Sequence, residues 1–189
     1  GFVISAIALN PLKMSKIKVL IQRFYLYFVI GLFSKKAKES KFEKVNMNGI
    51  RSWKITTPNS DPNKILLYFH GGAYIAGSSR AYYPMVSYIA DVSKFTVYMP
   101  DYRLAPEYLY PTQLEDGVNA YKSLIEEFGY SHKQIAIGGD SAGGNLAFVT
   151  IFKLREEGIE LPKAIFSFSP WADPAATGDT YTIEICEKD

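Results

Sequence analysis

Gly138-Gly139-Asp140-Ser141-Ala142-Gly143-Gly144 is the stretch on which the reading of this chain turns. It follows Lys133-Gln134-Ile135-Ala136-Ile137, an apolar run long enough for a buried strand, and precedes Asn145 to Phe152, which reads as a helix. A serine pinched between glycines at a strand-to-helix junction has the pattern of a nucleophile elbow. Gly139 and Gly143 lack a Cβ, so the strand and the helix can approach each other there. Ser141 is then held on a strained backbone with its hydroxyl at the top of the sheet. A plain glycine-rich turn or a phosphate cradle would share the glycines. No GKS or GKT follows to make a P-loop, however, and GDSAGGNLA is sharper than a bare GxSxG.

Outward from this junction the chain alternates between strand and helix patterns. Phe42 to Met47 and Ile50 to Thr56 alternate in polarity around Asn48-Gly49, a hairpin turn signal. Pro58 to Asn63 reads as a loop. Ile65 to Phe69 is uniformly apolar, as a strand buried on both faces should be. His70-Gly71-Gly72-Ala73-Tyr74 follows it. Ser78 to Asp91 is expected as a helix with Tyr82, Met85, Val86, Ile89 and Ala90 inward, then Phe95 to Met99 as a strand. Pro111 to Phe128 is expected as a helix, with its stripe at Leu114, Val118, Tyr121, Leu124 and Ile125 and a stop at Gly129. The helix after Ser141 should run to about Glu157, and Ala164 to Phe168 should be a further strand. This alternation predicts an α/β fold, a mostly parallel sheet with helices on both faces.

The composition bounds the rest. The 189 residues suffice for one domain, and 48% apolar with 21% charged residues is ordinary for a globular protein. A net charge of +2 gives no argument for a nucleic-acid partner. The single cysteine, Cys186, excludes an internal disulfide and favours a cytoplasmic location; with only two histidines, a metal site is not expected. No cofactor is implied.

Residues 1–40 differ from the remainder and are expected to form a helical cap segment, with residues 41–189 forming the core. Ile17 to Phe33 is aromatic-rich and broken only by Lys18, Gln22, Arg23 and Gly31, too short an apolar run to span a membrane. Lys13, Lys16, Lys35, Lys36 and Lys38 flank it. Two expectations follow. The segment covers the mouth of the cleft, or residues 13–38 lie on a membrane surface with Phe24, Phe28 and Leu32 inward.

Four motifs, HGGAY at 70–74, DYRLAPE at 101–107, GDSAGGNLA at 139–147 and SPWAD at 169–173, resemble in order and spacing the hormone-sensitive-lipase-like esterases of the α/β-hydrolase fold. The resemblance covers about residues 40–180. It implies that Ser141 is acylated, and that the N–H groups of Gly72, Ala73 and Ala142 form the oxyanion hole within about 3 Å of one anion position. Ala73 stands where the family has a third glycine, which keeps the N–H and adds one methyl group. His70 and Gly71 are expected to support the oxyanion loop. Asp140 should point away from the nucleophile. Asp101 and Glu107 should brace loops, Glu107 within a polar network near the serine. His132 is expected to be exposed and on the wrong side of the sheet for catalysis.

In this fold the acid and the histidine follow the nucleophile, and no histidine follows Ser141. Both are therefore expected past Asp189, and the sequence reads as the amino-terminal part of a longer esterase. The resemblance implies hydrolysis of small short-acyl esters by the complete protein, with lactonase or amidase action sharing the same chemistry. The alternative is a catalytically inactive module that binds a ligand or regulates. Completion by a complementary carboxy-terminal fragment, or by a second copy of the chain, is the expected remedy for the unfinished sheet.

Overall fold

The computed structural model describes residues 35–175, together with Ile17, residues 19–21, Arg23 and Phe24. Six strands form one sheet in the order β1-β2-β4-β3-β5-β6. They are β1 (Lys41–Met47), β2 (Ile50–Thr56), β3 (Asp61–Phe69), β4 (Phe95–Pro100), β5 (Ile135–Asp140) and β6 (Ala164–Phe168). The β1–β2 hairpin and the β2–β4 pair are antiparallel; β4, β3, β5 and β6 run parallel. Three helices connect the parallel strands: α1 (Ser79–Ser93), α2 (Thr112–Glu126) and α3 (Ser141–Glu156).

Alternation along the central strand builds the two halves of the core. Ile65, Leu67 and Phe69 of β3 face one side, where they meet Val118, Tyr121 and Leu124 of α2 and Leu146 and Ala147 of α3. Leu66 and Tyr68 face the other side and meet Ala81, Tyr82, Val86 and Ala90 of α1. Successive strand residues point to opposite faces, so a strand covered on both sides must be apolar throughout. The uniform Ile65 to Phe69 run is the sequence trace of that burial.

The structure corrects several expectations at the ends of elements. β3 begins at Asp61, inside the expected loop, because the Asp61 N–H donates to Lys94 O (2.8 Å) and Asp61 pairs with Phe95 before the register shifts. β5 begins at Ile135, not Lys133. Ser131 and Gln134 cap each other around a short 3-10 turn at His132–Gln134, which takes up those residues. Met85 turns outward, while Tyr82, Val86 and Ala90 make the buried stripe of α1.

Residues 17 to 24, where described, are helical. Val19 is buried, and Ile17, Leu20, Ile21 and Phe24 lie on the exposed side. Phe28, Leu32 and most of the expected cap lie outside the described residues, as does Cys186. Among the described residues no helix is long and apolar enough to cross a membrane.

Candidate active site

The β5–α3 junction is shaped by one carbonyl. A Cβ on Gly139 would stand 2.4 Å from Phe69 O, and one on Gly143 would stand 2.1 Å from the same oxygen and 2.5 Å from His70 O. Both glycines therefore make room for the end of β3, which is main chain and cannot step aside. The chain passes from extended Asp140 (φ −120°) to Ser141 at φ 52° and enters α3 directly. A left-handed serine costs about 1–2 kcal/mol, and here close packing on both sides fixes it. Ser141 is half-buried, and its carbonyl accepts from the Trp171 N–H (2.9 Å). Ala142 sits in the first turn of α3, where N–H groups have no partner inside the helix and the helix dipole is positive.

The second part of the site is the turn after β3. Gly72, Ala73 and Tyr74 have φ of 122°, 53° and 62° in succession. Gly72 O accepts from the N–H groups of Ile75 (3.0 Å) and Ala76 (2.9 Å), closing the turn. A Cβ at Gly72 would stand 2.2 Å from Ala76 O, so position 72 must be glycine for steric as well as conformational reasons. Ala73 adopts a left-handed conformation without being glycine, a strain that the neighbouring bonds must hold. The N–H groups of Gly72 and Ala73 donate to no described acceptor.

Asp140 ties the two parts together. Its carboxylate accepts from Tyr68 Oη (3.0 Å), Tyr82 Oη (3.1 Å) and the Gly71 N–H (3.0 Å). These three bonds turn the carboxylate toward β3 and α1 and pin Gly71, the residue just before the 72–76 turn. Burial raises its pKa above the ordinary carboxyl value, against the three donors, which lower it. His70 is buried beneath the turn, its Nδ1 donating to Gly71 O (2.7 Å) and its ring stacked on Tyr102 at 4.4 Å. Tyr102 Oη donates to His70 O (2.6 Å). Burial pushes the imidazole pKa down, which disfavours the charged ring.

Asp101 braces a loop: it accepts from the Ser79 N–H, Trp53 and Arg51. Burial raises its pKa, but those partners outweigh burial and hold it below the ordinary value. Glu107 is gripped by Arg23 (2.7 and 2.9 Å), a residue that sequence reasoning passed over as an interruption of an aromatic run. A charged residue inside an apolar helix was the available signal. His132 is not exposed as expected; it is partly buried, with Nδ1 2.9 Å from Glu160. Among the described residues no cluster of three His, Cys, Asp or Glu could hold a metal.

Beside the 72–76 turn lies a cavity of about 700 Å³, lined by Ala73, Tyr74, Leu109, Phe148 and Trp171 among others. Tyr74 Oη donates to Asn145 Oδ1 (2.7 Å) across its wall. A largely aromatic and aliphatic lining with a few polar groups suits a small organic ligand.

A profile described as "alpha/beta hydrolase fold" matches residues 66–188. The chain belongs to the hormone-sensitive-lipase-like esterases of that fold. It is 38% identical over 125 residues to an acetyl-hydrolase of Streptomyces hygroscopicus, covering 66% of this chain and 42% of that protein. It is 32% identical over 141 residues to the human hormone-sensitive lipase, covering 70% of this chain and 13% of that protein. Its fold superposes with TM-score 0.84 and 34% identity on a crystal structure of an esterase from the bacterial hormone-sensitive lipase family, covering 94% of this chain and 59% of that one. The chain spans between 13% and 54% of the length of such curated relatives. Within this esterase family, the four motifs of the present chain meet at one end of the parallel sheet: HGGAY after β3, DYRLAPE after β4, the Ser141 junction after β5 and SPWAD after β6.

Proposed function

We propose that the whole protein is a serine carboxylesterase of small short-acyl esters, with Ser141 as the nucleophile and Gly72, Ala73 and Ala142 as oxyanion donors. The observation that carries the reading is the left-handed Ser141 at the mouth of the β5–α3 junction, beside a turn whose Gly72 and Ala73 N–H groups are uncommitted. Ser141 Oγ attacks the ester carbonyl as its proton passes to a base, the carbonyl oxygen gains negative charge against the three N–H groups, and the C–O bond to the alcohol then breaks as the alcohol takes up that proton, leaving an acyl-serine. Water then releases the acid. Donors held in place before the reaction stabilise that charge without reorganising. Small acyl groups are favoured by the similarity to an acetyl-hydrolase.

Neither histidine of the sequence is placed to take the proton of Ser141. His70 is committed to Gly71 and buried under Tyr102, and His132 is paired with Glu160. The base and its carboxylate partner are therefore assigned to protein beyond these residues, whether the same chain, a complementary fragment or a second copy. The 189 residues alone should turn over little ester, because an unassisted hydroxyl stays protonated at pH 7. That observation also favours the second reading, a hydrolase-like binding module, for this chain in isolation.

The test is hydrolysis of p-nitrophenyl acetate by the full-length protein and by Ser141→Ala. The expected loss in kcat is about 10⁴–10⁶, with an acyl adduct on the Ser141 peptide in the wild type after rapid quenching. Equal turnover by the two proteins would overturn the assignment.

A further inference from the structure

The guanidinium of Arg23 sits where two loops meet, and its bonds are more than a surface ion pair. Nε donates to Ile75 O (2.7 Å) and Nη2 to Ala105 O (3.0 Å), while Glu107 receives Nη1 (2.9 Å) and Nη2 (2.7 Å). Ile75 closes the oxyanion turn through its N–H on Gly72 O. Ala105 is joined to the same turn from the other side, its N–H donating to Tyr74 O (2.8 Å). Arg23 thus grips a loop that contains consecutive left-handed non-glycine residues, Ala73 and Tyr74. Such residues persist only where the surroundings over-determine them.

We propose that Arg23 is a positioning residue that holds the 72–76 turn in its donor-presenting form and couples the amino-terminal helical stretch to the oxyanion hole. The proposal rests on the assignment of Gly72 and Ala73 as oxyanion donors. Glu107 serves as the orienting partner, its two oxygens matching the planar fork. The ion pair itself is half-exposed, with side chains 29% and 53% accessible, and adds little to stability. Its importance is directional: it aims Nε at Ile75 O and Nη2 at Ala105 O. A lysine at position 23 would supply charge but no fork, and could not reach both carbonyls while pairing with Glu107.

The experiment compares full-length wild type with Arg23→Met, Arg23→Lys and Glu107→Gln in two readouts. The first is hydrogen exchange at the amides of Ile75 and Ala76, which needs no turnover. Arg23→Met should speed their exchange about tenfold while the β3 and β5 amides stay unchanged, since local opening is separable from global unfolding. The second is p-nitrophenyl acetate kinetics. Arg23→Met should lower kcat by about 10- to 100-fold, below the 10²–10³ of deleting a donor outright, with KM nearly constant, because the donors act on the transition state. Arg23→Lys should fail to rescue, and Glu107→Gln should fall between. If Arg23→Met does not fold, Arg23→Lys decides by the same two readouts. Unchanged exchange at residues 75 and 76, rescue by lysine, or a change in KM alone would each overturn the proposal. If Ser141→Ala keeps full turnover, the esterase reading fails, and the exchange measurement still judges the clamp.

Discussion

The two halves of the candidate site, the β5–α3 junction and the turn after β3, are held by different forces. The junction is a steric lock. Gly139 and Gly143 surround Phe69 O, and no side chain is needed to keep Ser141 at φ 52°. The turn is a hydrogen-bond lock. It keeps its strained residues through bonds to Asp140, Ala105, Arg23 and its own Gly72 O, and through His70 beneath it. A steric lock tolerates no added atom but is indifferent to charge. A hydrogen-bond lock fails when a partner is removed or retitrated.

The largest expected effect tests the steric half. Gly143→Ala places a Cβ 2.1 Å from Phe69 O and 2.5 Å from His70 O, both main-chain atoms. The strand and helix must move apart, at a cost of about 3 kcal/mol or more. For a domain of this size that lowers the melting temperature by roughly 6–12 °C, and calorimetry of the full-length variant would show it. An unchanged melting temperature would mean that the junction has slack and the glycines are not its lock.

The same contrast sets what could be seen in the sequence. The steric lock is local: glycines two residues either side of Ser141 announce it, and Ile65 to Phe69 announces the strand they admit. Most of the fold was legible for that reason, since burial on both faces of a strand writes itself into consecutive residues. The hydrogen-bond lock is not local. Asp140 is 69 positions from Gly71, and Arg23 is 52 from Ile75. No spacing rule links them. Glu107 was legible as a loop brace but its partner was not, and His132 was misjudged because Glu160 lies far from it in sequence. Met85 fell on the wrong side because an apolar stripe on α1 is wider than the face the sheet can cover.

A smaller effect is expected where the hydrogen-bond half loses a partner. Asp140→Ala strands three donors, Tyr68 Oη, Tyr82 Oη and the Gly71 N–H. Buried unmet donors should cost about 2–3 kcal/mol, reduced by relief of a buried carboxylate. Asp140→Asn keeps an oxygen for Tyr68 and Gly71 and should cost about half as much. Urea unfolding of the three proteins gives both numbers. The alanine variant should also lower kcat with KM almost unmoved, as the turn loosens. Equal stability of Asp140→Ala and wild type would mean that the turn is held from elsewhere.

The smallest effect concerns charge, to which only the hydrogen-bond half should respond. His70 is wholly buried, and burial lowers its pKa below the 6.5 of a free imidazole; the Gly71 carbonyl, Asp101 and Asp140 pull the other way but less strongly. Below pH 6.5 the unfolded chain therefore takes up a proton at His70 that the folded protein refuses. Stability rises with pH wherever the unfolded state binds more protons. The contribution of neutral His70 is accordingly complete above that pH and is lost as pH falls, by at most about 1.4 kcal/mol per pH unit. His70→Gln keeps an N–H for Gly71 O and cannot titrate, so its unfolding free energy should decline less steeply between pH 7 and 5. The contact of His132 with Glu160 is common to both proteins and cancels in the comparison. Gly143→Ala, whose added Cβ meets main-chain atoms of Phe69 and His70 and no titrating atom, should keep the wild-type slope. Parallel pH profiles for wild type and His70→Gln would mean that His70 can be protonated in the folded state, and the turn would then have to open to admit the charge.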